Sequence, residues 1–289
     1  MPSRSNRRHP SRPAIVRLLG VVLVAVSLLA TACSDAHTQA QRDWVDPGID
    51  PNVLSLLAAP SLTPVLTALG QAFQTVRPDT TLVFVNQVTA TTGKRNRVDS
   101  NLTNTQIIQS GASPALWIDV AAVLKPYAKD SRAQGPILPF AVEPLVLAVK
   151  VGNPAGVTGL NAFEAGGPTA GRCSTKAPCG KLGAAWLAAA KIKPSYEVKA
   201  LDAPQLLEAI TKGQADAGLV LALDVPPAGP TLTTVPVATP PAPSITYRML
   251  CMSTNPTATQ FEKWVATSPQ ARAILTTYRL LPGTGRAAA

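Results

Sequence analysis

The sequence predicts an α/β protein with two lobes. From Asn52 onward, short apolar runs rich in β-branched residues alternate with amphipathic stretches, which is the pattern of strands and helices packed in layers. A clean strand at residues 144–151 ends in the turn Gly152-Asn153-Pro154, and a second set of helix and strand units follows this turn. Two such lobes joined by extended crossings favour a protein that encloses a ligand in the cleft between them.

The first lobe begins with strands and helices in alternation. Residues 61–76 place Leu62, Val65, Leu66, Leu69 and Phe73 on one face, which is the spacing of an amphipathic helix. A second helical stretch covers residues 103–109. Strands are predicted at residues 53–57, 81–85 and 115–120.

The second lobe and the return to the first are predicted from the rest of the chain. Helices are expected at residues 181–190 and 204–212, and a buried strand at 217–223. Residues 225–243 contain seven prolines and no helical spacing, so we expect a polyproline-like crossing over the surface. A strand at 245–252 and helices at 257–266 and 269–280 close the chain. The predicted boundaries are 52–139 and 225–289 for the first lobe with its return crossing, and 140–224 for the second lobe.

The N-terminus has the pattern of an export signal. Residues 1–13 are basic, residues 14–32 are apolar apart from Arg17, and the small residues Ala30-Thr31-Ala32 precede Cys33. The uncharged run at 18–32 covers 15 residues, fewer than the roughly 20 that span a bilayer, so we expect it to be cleaved. This pattern predicts a signal peptide with a lipoprotein cleavage box over residues 1–32. The alternative is an ordinary secretory signal in which Cys33 is incidental.

Lipidation of Cys33 would anchor the mature protein to the cell membrane on its extracytoplasmic face. Residues 33–51 are polar, lack helical or strand periodicity and contain two Asp-Pro steps. We therefore predict that they form a lipidated tether between the membrane and the folded lobes.

Charge and histidine content exclude several classes of function. Five arginines lie before residue 33, which leaves 21 basic against 16 acidic residues in the rest of the chain, so no nucleic-acid partner is predicted. The only histidines are His9 and His37, which excludes histidine bases and histidine-ligated metals from the lobes. The acidic residues are scattered. We therefore predict that the protein is not an enzyme and carries no cofactor or metal.

Five segments resemble, in the same order, parts of the exported molybdate-binding proteins of ABC transporters. They are LAAPSL at 57–62, QIIQSGA at 106–112, KVGNPAGV at 150–157, GQADAGLV at 213–220 and SPQARAILTTYRLLP at 268–282. The resemblance implies a two-lobed periplasmic-binding-protein fold of type 2 with a ligand cleft between the lobes. It also implies a monomer that delivers a tetrahedral oxyanion, such as molybdate or tungstate, to an ABC permease. Hydroxyls and helix N-terminal N–H groups would hold the oxyanion.

The resemblance further implies particular ligand contacts. Ser61 corresponds to the first ligand serine of the family, and the alternative role for this residue is a helix N-cap. Backbone N–H groups near Gly180 and Ala203 correspond to further contacts. The second ligand serine belongs in the loop before residue 106, where Ser100 or Asn101 is nearest in register and Thr91 or Thr92 could substitute.

Two departures from the family pattern leave the ligand open. Leu221 stands where the family has a tyrosine, and leucine cannot hydrogen-bond an oxyanion. The loop before Thr105 is longer than in the family and carries Lys94, Arg95 and Arg97, either as a solvated insertion or as cations that recruit an anion or contact the permease. The alternatives are a different small anion, an organic solute, or a sensor or interaction lipoprotein without a role in transport.

The cysteines of the lobes fall into two groups. Cys173 and Cys179 lie six residues apart, and in an exported protein this pair favours a disulfide that fixes the loop before the helix at 181–190. The alternative is two buried thiols. Cys251 stands in an apolar strand and is predicted to be a small core residue.

Overall fold

The computed structural model describes residues 50–85, 103–109, 114–227, 229–237 and 239–283, all within one compact unit. In these ranges the α-helices are α1 (Thr63–Gln74), α2 (Asn104–Gln109), α3 (Ala121–Leu124), α4 (Pro178–Ala189), α5 (Ala203–Thr211), α6 (Pro256–Thr267) and α7 (Pro269–Thr277). The strands are β1 (Val53–Ala58), β2 (Thr81–Phe84), β3 (Leu116–Val120), β4 (Leu138–Lys150), β5 (Ala170–Cys173), β6 (Val198–Ala200), β7 (Ala217–Leu221), β8 (Leu232–Val235), β9 (Ser244–Cys251) and β10 (Leu281–Pro282).

The first lobe is a sheet covered by helices. Strands β2, β1 and β3 are parallel neighbours, and β9 runs antiparallel beside β3. Helix α1 buries Val65, Leu66, Leu69 and Phe73, as its spacing predicts, and it packs against α6 and α7. Phe73 and Phe261 meet edge to face with ring centroids 5.3 Å apart. This hydrophobic core draws residues from both ends of the described chain.

The second lobe has its own sheet and its own hydrophobic core. Strands β6, β5 and β7 are parallel neighbours, and β4 pairs antiparallel with β7. Helices α4 and α5 supply Trp186, Leu206 and Ile210 to a core that also contains Leu147 and Val220. The amphipathic pattern of the sequence therefore produces two separate cores, one in each lobe.

Strand β4 joins the two lobes. Its first half, through Pro144, pairs with β9 of the first sheet, and from Leu145 onward it pairs with β7 of the second sheet. The cleanest predicted strand is thus confirmed, but it starts at Leu138, six residues before the predicted start, and it passes through the predicted lobe boundary at residue 140.

The prediction of a polyproline-like crossing at residues 225–243 is wrong for residues 232–235, which form a strand. Residues Leu232–Val235 form β8, which pairs antiparallel with β4 at Leu147–Lys150. The four residues LTTV contain no proline and two β-branched threonines, and they lie between Pro230 and Pro236. The prolines therefore confine the strand to a short edge position.

The strand directions bring particular residues to one edge of each sheet. The carboxyl ends of β1, β2 and β3 share an edge, and antiparallel β9 brings Tyr247 to this edge opposite Val120. In the second sheet the carboxyl ends of β5, β6 and β7 share an edge, where Leu221 pairs with Leu145. In open α/β sheets, ligands bind at such carboxyl edges.

Candidate functional site

The turn after β1 carries Ser61. Strand β1 ends at Ala58, and residues Pro60–Leu62 form one 3₁₀ turn before α1 begins at Thr63. Ser61 is not the N-cap of α1, because it lies inside the 3₁₀ turn Pro60–Leu62 and the N-cap position belongs to Leu62. The N-cap alternative for Ser61 is therefore wrong. The residue is exposed at the carboxyl edge of the first sheet, where a ligand could reach its hydroxyl.

The start of α4 presents backbone donors at the edge of the second sheet. Pro178 is the first helical residue, and the N-cap Ala177 makes no side-chain bond to the helix. In the described part of the chain, the N–H groups of Cys179 and Gly180 have no acceptor. They are two of the donors that every helix start leaves unsatisfied, and the helix dipole makes them attractive to an anion.

A disulfide links Cys173 at the end of β5 to Cys179 in the first turn of α4. The Cα atoms of the pair are 5.9 Å apart, within the ordinary range for such a bond. This geometry supports the predicted pairing. Cys251 is a free, buried cysteine at the end of β9, in agreement with its predicted place in the core.

The start of α5 is a weaker anion site than the start of α4. Ala203 is the first residue of α5, and the carboxylate of the N-cap Asp202 accepts the Gln205 N–H at 3.1 Å. Pro204 contributes no N–H. An acidic side chain therefore already occupies this helix start and would repel a ligand anion.

The two sheet edges meet at the end of β7. Leu221 is half-buried, and its N–H donates to the Asp224 carboxylate at 3.0 Å. The 3₁₀ turn that follows, Ala222–Asp224, lies in contact with the Pro60–Leu62 turn of the first lobe. Ser61 and Leu221 are thus brought to the same junction.

Sequence reasoning missed two residues at this junction. The Tyr247 hydroxyl donates to Oε2 of Glu143 at 2.8 Å, and Oε1 of Glu143 accepts the Leu223 N–H at 2.8 Å. Burial, followed by the Glu143 carboxylate, raises the pKa of the Tyr247 phenol, whereas the nearby Ser61 side chain lowers it. A tyrosine does therefore stand beside Ser61, but it comes from β9 and not from β7. The only signal in the sequence was a glutamate inside the apolar run of β4.

Carboxyl groups are prominent around the junction. Asp119 near the end of β3 accepts a hydrogen bond from Asn104 at 3.0 Å, and its charge raises the pKa of Tyr247. Burial raises the pKa of Glu143 and of Asp224, and the Asp202 carboxylate adds to the effect on Asp224. The described residues contain no group of three His, Cys, Asp or Glu that could hold a metal ion.

The remaining predicted contacts, Thr91, Thr92, Ser100 and Asn101, lie outside the described residues, as do Cys33 and the basic residues Lys94, Arg95 and Arg97. Among the helices that the structure describes, none has the length and apolar character needed to cross a membrane.

The fold has two lobes, and Ser61 and Leu221 lie at the junction between them. The family model for bacterial extracellular solute-binding proteins matches residues 54–278, and the chain belongs to this family. No curated protein sequence matches the chain.

Several solved structures share the fold. One is described as the substrate binding domain of a molybdenum ABC transporter from Clostridium difficile: TM-score 0.63, 18% identity, covering 80% of this chain and 99% of that one. The periplasmic molybdate-binding protein of Azotobacter vinelandii gives a TM-score of 0.50 at 16% identity, and the match covers 80% of this chain and 100% of that one. Peb3 from Campylobacter jejuni gives a TM-score of 0.55 at 11% identity, and the match covers 79% of this chain and 99% of that one. These likenesses establish the two-lobed periplasmic-binding fold.

Proposed function

We propose that the protein is the exported, lipid-anchored solute receptor of an ABC importer and that it binds a tetrahedral oxyanion such as molybdate or tungstate. One observation carries the proposal. The Ser61 turn of the first lobe contacts the Ala222–Asp224 turn of the second lobe. The start of α4, after the carboxyl end of β5 in the same second sheet, carries the N–H groups of Cys179 and Gly180, which have no acceptor in the described part of the chain. A hydroxyl and free helix N–H groups are suited to binding an anion without a formal countercharge.

The family and the fold add independent support. The family comprises extracellular solute-binding proteins, and two structures with this fold carry molybdenum or molybdate in their names. In this proposal the protein acts as a monomer without a catalytic role, and its macromolecular partner is the permease. Residues 61 and 180 contact the ligand, together with one hydroxyl or amide from residues 91, 92, 100 and 101. The N–H group of Ala203 is the weaker contact of the set, because the Asp202 carboxylate caps the same helix start.

The ligand assignment is tested by isothermal titration calorimetry on the mature protein. The ligand panel contains molybdate, tungstate, sulfate, phosphate and small organic anions. We expect saturable binding of molybdate or tungstate at one site per chain. If these anions give neither heat nor thermal stabilisation, the oxyanion assignment is wrong.

A small organic anion is the second candidate ligand, and the Leu221 side chain is the observation that favours it. An apolar, half-buried side chain at the junction suits a solute with an apolar portion, which molybdate lacks. A Peb3 structure with bound L-phospholactate has the same fold, with a TM-score of 0.55 at 10% identity over 79% of this chain and 99% of that one. Binding of organic anions alone would favour this candidate, and binding of no solute would favour a sensor or interaction protein.

The anchor is tested on the native protein. Mass spectrometry of the membrane fraction should identify a diacyl- or triacyl-modified Cys33 as the N-terminal residue. A Cys33→Ala variant should lose the modification and leave the membrane fraction. Recovery of an unmodified wild-type protein that begins after Cys33 would exclude the lipid anchor.

A further inference from the structure

One groove of the first lobe carries apolar and cationic side chains together. It lies between the end of α1 and helix α6 and has a volume of about 460 Å³. Its lining residues are Phe73, Val76, Arg77, Gln260, Lys263, Trp264 and Thr267. Val76 is 62% exposed, and the half-buried Trp264 ring packs against the ring of Phe73. The groove therefore offers a partner an aliphatic and an aromatic contact that the lobe leaves uncovered.

The two cations of the groove form no salt bridge within the described part of the chain. The Arg77 guanidinium donates to the Gln260 side chain and to the Pro51 carbonyl oxygen, and neither acceptor carries a charge. Lys263 is exposed. Asp79, two residues after Arg77, is also exposed and is not in salt-bridge contact with it. A partner for this groove should therefore carry negative charge beside an apolar portion.

The chain enters the first lobe beside the groove, at the amino edge of the first sheet. The Asn255 side-chain amide donates to the carbonyl oxygens of Asp50 and Val53 at 3.1 and 2.8 Å. The Arg77 guanidinium, which lines the groove, donates to the carbonyl oxygen of Pro51 at 3.4 Å. One arginine therefore joins the groove to the point where the chain enters the lobe.

In the proposed function, residues 33–49 connect this entry point to the lipid anchor. Fully extended, they span at most about 60 Å, at roughly 3.5 Å per residue, so the groove always lies within reach of the membrane surface. Tryptophan is favoured at the boundary between membrane and water, and lysine and arginine attract anionic lipid headgroups. The side chains of the groove match both preferences.

We propose that the groove is a docking surface for the anionic headgroups of the membrane that anchors the protein. The inference rests on the proposed lipid anchor and does not depend on the ligand. Arg77 and Lys263 bind the headgroups, and Val76 and the Trp264 indole enter the interfacial layer. Ser61 follows the carboxyl end of β1, whereas the groove adjoins the amino end of this strand. Docking therefore leaves the ligand junction at the opposite edge of the sheet, away from the docked surface.

The docking is tested with the mature chain attached to vesicles through Cys33. A maleimide lipid couples to this thiol, because the other cysteines are disulfide-bonded or buried. The attachment supplies an anchor whether or not the cell lipidates Cys33. Trp44→Phe is included, so that the remaining tryptophans are Trp264 and the buried Trp117 and Trp186, which are 0% and 2% exposed.

Lipids with brominated acyl chains quench the fluorescence of tryptophans that enter the membrane. We expect quenching of Trp264 in vesicles of equal parts phosphatidylglycerol and phosphatidylcholine, and little quenching in phosphatidylcholine alone or at high salt. Lys263→Gln should lower the docking constant about fivefold, the loss expected for one basic residue at an anionic surface. Val76→Ser should lower it as well, because it removes apolar area from the contact. Absence of quenching in the anionic vesicles would overturn the inference.

Matched controls lie on the second lobe. Lys199→Gln on β6 makes the same change of charge at an exposed position, and Val151→Ser makes the same change at a valine that is 47% exposed. Both variants should show the same quenching as the unsubstituted chain. Equal losses in Lys199→Gln and Lys263→Gln would indicate a general attraction of a basic protein to the vesicle, and the docking surface would be rejected.

The remaining outcomes distinguish this inference from self-association and from the proposed function. A dimer in solution that both Lys263→Gln and Val76→Ser dissociate would show that a second copy covers the groove, and membrane docking would be wrong. If docking occurs on the vesicles while the native protein carries no lipid on Cys33, the docking surface stands and the lipid-anchored function fails.

Discussion

A Cβ atom built on Gly180 would lie 2.1 Å from the carbonyl oxygen of Ser174 and 2.6 Å from that of Cys173. The first turn of α4 therefore packs directly onto the backbone of the loop that precedes it. The same turn carries Cys179, which is bonded to Cys173. The close packing at Gly180, which has no side chain, and the Cys173–Cys179 disulfide together fix the position of the start of α4. We assign the N–H groups of this helix start to ligand binding.

The first prediction is that Gly180→Ala destabilises the protein by about 1–3 kcal/mol, because the obstructing atoms are backbone and cannot rotate away. Thermal unfolding measures the effect, and oxyanion affinity should fall with it. The matched control is Gly183→Ala on the same helix, where a Cβ would meet its nearest atoms, in Leu219, at an ordinary 3.4 Å. This control should be neutral or slightly stabilising. Equal effects of the two substitutions would argue against the close approach at Gly180.

The second prediction is that the Cys173–Cys179 bond matters more for binding than for global stability. The bond closes a loop with a sequence separation of 6, so its contribution through chain entropy is on the order of 2 kcal/mol. Reduction should weaken oxyanion binding several-fold while the melting temperature changes little. Peptide mapping without reductant should recover the two cysteines in one linked peptide, and two free thiols would exclude the bond.

The third prediction is that Ser61→Ala weakens oxyanion binding about tenfold to a hundredfold, since a hydrogen bond to a charged group contributes roughly 1.5–3 kcal/mol. Calorimetry measures the loss. Thr267→Ala removes an exposed hydroxyl at the end of α6 and should bind like the wild type. Unchanged affinity in Ser61→Ala would remove this residue from the site.

The sequence predicted most of the fold because long apolar patterns dominate it. The strands with buried apolar runs and the helix α1 lie within a few residues of their predicted bounds. Strands β5 and β6 were missed, because the four residues AGRC and the three residues VKA are too short and too mixed to show a period. β5 pairs with β7, and β6 pairs with β5. The place of both strands in the sheet therefore depends on contacts between residues that are distant in the sequence.

The candidate site was less predictable than the fold. Ser61 could be found because it lies in a local segment that resembles a known family. Glu143 and Tyr247 are 104 residues apart and meet only because β4 and β9 pair in the folded sheet. In the sequence, neither residue can be distinguished from an ordinary strand residue. Their role depends on burial and on the hydrogen bond between them, which no local sequence pattern encodes.

The fourth prediction is that Leu221→Tyr tightens oxyanion binding, about tenfold or more for one added hydrogen bond to a charged ligand. Leu221 is half-buried at the junction of the lobes, so a longer side chain could direct a hydroxyl towards Ser61. Leu221→Phe is the matched control, because it adds the ring without the hydroxyl. Equal affinities in the two variants, measured by calorimetry, would show that the hydroxyl does not reach the ligand.

A second buried carboxyl lies far from the ligand junction. Glu262 on α6 is 9% exposed, and its Oε1 has no hydrogen-bond partner among the described residues. It lies near the thiol of Cys251, whose pKa is raised mainly by burial and also by the Glu262 charge. Burial raises the pKa of Glu262 from 4.5 to about 7. An ionised Glu262 is therefore poorly solvated, and its carboxylate has no salt bridge among the residues that the structure describes.

The fifth prediction is that the protein loses stability as the pH rises from about 4.5 to about 7 and that Glu262→Gln reduces this loss. In that window the folded state holds a proton that the unfolded state has released, so the free energy of unfolding falls with pH. Urea denaturation at pH 5, 6, 7 and 8 measures the slope. Glu208→Gln removes an exposed carboxylate paired with Lys212 and should keep the wild-type slope between pH 5 and 8. If Glu262→Gln and the wild type have the same slope, Glu262 does not titrate in this window, and its carboxyl must have a partner or more solvent than its burial indicates.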